Sequence, residues 1–198
     1  MLRFSTIRRG ILRKSSSALL LRAGLAFIAF IAVPLRGQDV RPTEYQVKAA
    51  YVYNFGKFVT WPSNATPETQ SFDICILGKD PFGPVIDATV AGDSIDGKRI
   101  IVRRIAKVQE VDPCSVLFIS QSEERRLAPV LADAKHLNLL TVSDIKDFAE
   151  RGGMIGLVTQ GDRIRFVVNR KAADEAHLQL SSELLKVATR VIGAKAAE

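Results

Sequence analysis

Cysteine and histidine are nearly absent from this chain, with two of each in 198 residues. The four stand singly as Cys75, Cys114, His136 and His177. Zinc sites need ligands in close pairs, so no metal is expected, and no cofactor-binding motif points to any other prosthetic group. Two isolated histidines supply little for general-base chemistry, and no Gly-x-Ser-x-Gly elbow occurs. Nothing in the chain combines a nucleophile, a base and an orienting group, which argues against an enzyme. The first 37 residues lack acidic side chains altogether while carrying Arg3, Arg8, Arg9, Arg13, Lys14, Arg22 and Arg36. Their apolar run, Ala23 to Leu35, falls short of the roughly 20 residues needed to span a bilayer. Basic start, short apolar run and small terminal residue are the layout of a secretory signal peptide, so residues 1–37 are expected to be removed after Gly37.

That leader accounts for the basic character of the chain. Of 28 basic and 21 acidic residues it holds seven basic ones and no acid, leaving 38–198 with 21 of each and a formal charge of zero. The high isoelectric point is therefore a targeting property, and nucleic acid is not an expected partner. The remaining 161 residues suffice for one domain with a proper core. For an exported chain, Cys75 and Cys114 are either a disulfide closing a loop of about 40 residues, worth about 4 kcal/mol, or two buried thiols in neighbouring strands.

Thr43-x-x-Gln46 has the form of a capping box, and helical periodicity follows to about Phe58. Val47, Tyr51, Phe55 and Phe58 form one apolar stripe and Ala49, Val52, Gly56 and Val59 the next. This helix is apolar over more than half its circumference. Strands are predicted at 72–77, 99–104, 115–120, 138–142, 154–159 and 163–168, with helices at 81–90, 122–134 and 143–151 and within 169–192. Ile74 to Leu77 and Val116 to Ile119 are continuous apolar runs, as in central parallel strands covered on both faces. The last two strands, joined at Gln160-Gly161-Asp162, predict an antiparallel hairpin. The fold class is single-domain α/β, a mostly parallel sheet of about five to six strands flanked by helices, with an antiparallel edge hairpin.

"CILGKDPFGPV", Cys75 to Val85, invites comparison with a phosphate-binding loop. Such a loop needs Lys and Ser or Thr directly after its second glycine, where this chain has Pro84 and Val85. The residues instead predict that Gly78 ends a strand, Asp80 caps a helix and Pro81 occupies its first position. Asp144, Asp147 and Glu150 are expected to line the solvated face of a short helix.

Three segments together are more specific: "EYQVKAAYVYNFGKFVTWP" (44–62), "CILGKDPFG" (75–83) and "LTVSDIKDFAERGGMIGLVTQGDRIRFVVNRKAADEAHLQLSSELLKVA" (140–188). In order and spacing they resemble the YfiR family. The resemblance implies a non-enzymatic periplasmic regulator of Gram-negative bacteria, with an α/β domain that dimerises. Its type member binds the periplasmic sensory domain of an inner-membrane diguanylate cyclase and represses it, lowering cyclic di-GMP and biofilm formation; an outer-membrane lipoprotein relieves the repression. Disulfides matter in the family, and Cys75 and Cys114 match its motif cysteines. A second cysteine pair, which some members carry around the Arg-Gly-Gly segment, is missing from 148–156 here. Candidate partner contacts are the aromatics expected to be exposed, Tyr51, Tyr53, Trp61 and Phe82, with Tyr53 foremost because it falls off the main stripe; Phe55 is assigned to the core. The competing expectation is a small-ligand-binding module acting with a sensor kinase or receptor, its ligand at the carboxyl edge of the sheet near Gly78 to Gly83 and Ser120 to Ser122.

Overall fold

The computed structural model describes residues 42–62, 71–112, 114–135 and 137–193. The expected signal peptide and His136 lie outside them. From Pro42 onward the described residues form one compact unit. Its helices are α1 (Glu44–Lys57), α2 (Pro84–Val90), α3 (Leu127–Ala134), α4 (Arg170–Glu175) and α5 (Ser182–Val187). Its strands are β1 (Val59–Thr60), β2 (Ser71–Leu77), β3 (Ser94–Ile95), β4 (Lys98–Ile105), β5 (Cys114–Ile119), β6 (Leu140–Ser143), β7 (Ile155–Gln160), β8 (Arg163–Asn169), β9 (Gln179–Leu180) and β10 (Arg190–Ile192).

The main sheet has the order β10-β8-β7-β6-β5-β2-β4-β3. β4, β2, β5, β6 and β7 run parallel. β8 is antiparallel to β7 in the expected hairpin, β10 is parallel to β8, and β3 is antiparallel to β4. Eight strands replace the expected five to six, because β3 and β10 are two and three residues long and too short to show periodicity. Another short ladder pairs β1 with β9. Taken alone, the five parallel strands have the 2-1-3-4-5 order of a doubly wound sheet, whose switch point lies between β2 and β5.

Two apolar clusters cover the two faces. Ile74 and Ile76 pack on one side with α1 and α2. Cys75, Leu77, Leu117 and Ile119 pack on the other with Leu127, Val130 and Ala134 of α3. This is what continuous apolar strands require, since neither face meets water. The predicted capping box starts α1: Thr43 Oγ1 accepts the Gln46 N–H and Gln46 Oε1 accepts the Thr43 N–H. A Cβ on Gly56 would lie 2.8 Å from Ile95 and 2.9 Å from Phe72, so the missing side chain lets α1 approach the sheet closely. The disulfide is formed between Cys75 and Cys114, with Cα atoms 5.9 Å apart and a sequence separation of 39.

Two local expectations are corrected. Residues 145–152 form consecutive turns in place of a helix, with Asp147 at φ 53° interrupting any helical run. The helix expected from Pro81 begins at Pro84, after Gly83 at φ 54°. Asp80 does cap, but it caps the turn before the helix, accepting the N–H groups of Phe82 and Gly83.

Candidate functional site at the carboxyl edge of the sheet

The loops after β2 and β5 meet at the switch point, where doubly wound sheets usually hold ligands. Here they are stitched together: Ser122 Oγ accepts the Lys79 N–H at 2.9 Å, and Ser120 Oγ donates to the Lys79 carbonyl at 2.6 Å. Gly78 sits at φ 87°, and a Cβ there would run into Ser122 and Glu123. Those side chains occupy the crevice. Asp80 is engaged on all sides, taking Phe82 N–H at 2.7 Å, Gly83 N–H at 3.2 Å and Arg104 Nε at 2.9 Å. Arg104 also donates to the Gly83 carbonyl and to both oxygens of Asp87. Its hydrogen bond holds the Asp87 carboxyl below the usual range, against the partial burial that would raise it. The backbone donors a phosphate would need are thus used by Asp80. Gly78→Ala is expected to lower stability by about 2–3 kcal/mol through backbone strain and collision with Ser122, read as a fall in the urea midpoint.

Next along the edge, the chain leaving β6 carries a buried charge cluster. Lys48 on α1 is 3% exposed and places Nζ 2.6 Å from Asp144 Oδ2 and 2.6 Å from Glu44 Oε1. Tyr45 OH donates to Asp144 Oδ2 at 3.2 Å, and Thr159 Oγ1 to Glu44 at 3.3 Å. Asp144 Oδ1 is buried without a hydrogen-bond partner. Asp144 is therefore no solvated residue: its side chain is 2% exposed and it fastens α1 to the sheet edge. Burial alone would depress the Lys48 pKa, yet the hydrogen bonds to Asp144 and Glu44 outweigh it and the pKa is raised. The hydrogen bond from Lys48 correspondingly lowers the pKa of Glu44. Sequence reading missed this cluster; the one local signal was the Glu44–Lys48 spacing of four on a helix.

The candidate contact aromatics divide. Tyr53 and Phe82 are buried, at 8% and 3% exposure, which corrects the expectation that they face solvent. α1 packs against α2 as well as the sheet, so the stripe beside the main one is covered too, and Lys57 Nζ lies 4.0 Å from the Tyr53 ring centre. Phe82 packs edge-on against Phe118 and Tyr45. Phe55 is in the core, as expected. Trp61 is half-buried against Phe72, its Nε1 without a partner. Tyr51 is also half-buried, edge-on to Phe166, and its hydroxyl donates to the Ile164 carbonyl. Tyr51, Glu44 and Val47 of α1 form one wall of a groove of about 490 Å³, with the β7–β8 hairpin from Thr159 to Arg165 opposite. Of the four, only Tyr51 lines this groove. Among the described residues, no group of three or more His, Cys, Asp and Glu side chains is placed to hold a metal, and no helix is long and apolar enough to cross a membrane.

Among solved structures, a conserved domain protein from Vibrio cholerae O1 biovar El Tor is similar over 72% of this chain and 59% of its own, at 11% identity and TM-score 0.52. An ABC domain from Streptococcus pneumoniae, solved in complex with L-Trp, is similar over 73% of this chain and 60% of its own, at 12% identity and TM-score 0.50. At these identities the likeness is one of fold alone, and this chain spans about three fifths of either protein. No curated protein matches. A family model does match, from residue 45 in α1 to residue 189 just before β10, taking in the capped helix, the glycine loop and the hairpin. The chain belongs to the YfiR/HmsC-like family, DUF4154.

Proposed function

We propose that this protein is a non-catalytic periplasmic regulator that binds the periplasmic sensory domain of an inner-membrane signalling protein and holds it in its inactive state. The favoured target is a diguanylate cyclase, so that binding lowers cyclic di-GMP and biofilm formation. The observation that carries the reading is the family match across nearly all of the described domain. The Cys75–Cys114 disulfide supports an oxidising compartment. Repression follows if the protein binds one conformation of the sensor in preference to another, which shifts its population without chemistry. The Tyr51 groove is the proposed contact, and Trp61, which packs on Phe72 outside that groove, is a second one; buried Tyr53 and Phe82 act by fixing α1 and the glycine loop. A homodimer and relief by an outer-membrane lipoprotein complete the proposal.

The test is capture from detergent-solubilised membranes of the native host with tagged 38–198 as bait. Enrichment of a sensor with a periplasmic domain and a cyclase output is the expected result, with recovery reduced at least tenfold by Tyr51→Ala. Elution of the bait alone would remove the reading. The second reading, a small-ligand module, draws support from the shared fold of the L-Trp-bound ABC domain. Against it stands the switch-point crevice filled by Ser122 and Glu123. A concentration-dependent thermal shift with free amino acids, absent in Asp80→Ala, would favour it.

A further inference from the structure

Small side chains leave a void bounded by α3, α4 and the start of β6. It holds about 200 Å³ and is walled by Leu131, Ala132 and Ala134 of α3, by Ala172 of α4 and by Met154 just before β7. Gly152 adds backbone alone: a Cβ built there would meet Leu131 and nothing nearer, at 3.9 Å. At the rim Lys135 pairs with Glu175 at 3.3 Å, joining the ends of the two helices. Both side chains are exposed, and Glu175 also lies 4.0 Å from Lys171, so these charges stay in water. The lining shares no residue with the Tyr51 groove or the glycine loop.

Of the side chains in this lining, Thr141 of β6 is the one that is both buried and polar. It is 2% exposed, and its Oγ1 accepts the Met154 N–H at 3.1 Å. A threonine hydroxyl donates as well as accepts, yet among the described residues no group takes its proton. A donor left unspent in apolar surroundings costs free energy. Water answers it poorly, because a buried water needs two to four polar partners and an apolar void stays dry. A molecule with one acceptor answers it well. The size of that molecule is bounded, since an apolar cavity of about 150 Å³ admits benzene and this one has room for a ring with a short substituent. Its charge is bounded too: no charged group reaches the floor, so a charge carried there would be unpaired. The Met154 thioether favours contact with a flat unsaturated ring.

We propose that this pocket binds a compact, uncharged carbonyl compound of single-ring size. Its carbonyl oxygen accepts the Thr141 hydroxyl, and its apolar body packs on Met154, Leu131 and Ala172. The site stands apart from the sensor contact and from the switch-point crevice, so it depends on neither reading of the function. Because the occupant touches α3, α4 and the start of β6 together, binding stabilises the folded domain in step with occupancy.

The probe is acetophenone, titrated into the full chain labelled at its methionine methyl groups. The chain has two methionines, Met1 and Met154, so one signal reports on the pocket and the other is its control. The Met154 methyl is expected to shift and saturate at millimolar acetophenone while the Met1 methyl stays in place. Filling the void with Ala172→Leu, or with Ala132→Leu should the first variant not fold, should weaken binding at least tenfold. Thr141→Val, which removes the donor, should weaken it about threefold to tenfold, and Thr141→Ser, which keeps the hydroxyl, should bind as the parent does. The proposal is overturned by a Met154 signal that does not move, by undiminished binding in the filled pocket, or by equal affinity of the parent and Thr141→Val. Tighter binding of benzoate than of acetophenone also overturns it, giving the pocket to an anion held by Lys135.

Discussion

Lys48→Met is expected to lower the unfolding free energy by about 3–5 kcal/mol, and the thermal midpoint by roughly 6–20 °C for a domain of this size. The loss comes less from the missing attraction than from what stays behind. Asp144 is 2% exposed and already has one unpartnered oxygen; without Nζ its other oxygen keeps only the Tyr45 hydroxyl. A buried carboxylate so stranded is far costlier than an apolar pair of similar volume. The double substitution Lys48→Met with Asp144→Leu should therefore recover most of the loss, and a thermodynamic cycle over the four proteins measures the coupling. If the double variant is as unstable as Lys48→Met, the cluster does not act as a pair. Acid adds a second signature. The Glu44 pKa is lowered by the Lys48 hydrogen bond, so its share of stability is present above the usual glutamate value and lost as pH falls through the lowered one. The Lys48 pKa is raised, so its share is intact below the usual lysine value and lost only as pH rises through the raised one. Stability measured between pH 3 and 5 should fall less steeply in Lys48→Met than in the parent.

Why this cluster escaped sequence reading is instructive. Local periodicity shows Glu44 and Lys48 one turn apart, and nothing local shows Asp144, 96 positions beyond Lys48. Its neighbours, Asp147 and Glu150, suggested a solvated helix face until positive φ at Asp147 replaced the helix by turns. What was legible came from interactions within a few residues: the Thr43 capping box, the two continuous apolar strands and the Gly161 hairpin. Tyr53 was misplaced because one helical stripe was taken to face the protein, whereas α1 is covered on two sides. β3 could have been found. Ile95-Asp-Gly-Lys98 carries the Asp-Gly signal of a two-residue hairpin, and recognising it also exposes the unpaired length of β4 that follows.

The disulfide carries the second large effect. Replacing Cys75 and Cys114 together by alanine is expected to lower stability by about 4 kcal/mol on the chain-entropy model, or roughly 8–16 °C in midpoint. The loop closed by the bond contains α2, β3 and β4, so in the unfolded chain it confines about a quarter of the domain. Because much of this effect acts on the unfolded state, reduction should also raise the denaturant slope, as the freed loop exposes more surface on unfolding. Folded-state packing contributes in the opposite sense to simple intuition: Cys75 is fully buried among Leu77, Leu117 and Ile119, so a reduced pair of thiols stays in apolar surroundings and the native sheet persists. Urea titrations with and without dithiothreitol measure both quantities. A drop in midpoint together with a steeper slope is expected for the parent protein, and no response to dithiothreitol for the alanine pair. A parent midpoint that does not move on complete reduction would show that the β2–β5 pairing holds this region without the bond, and that the cysteines act in neighbouring strands as apolar side chains alone.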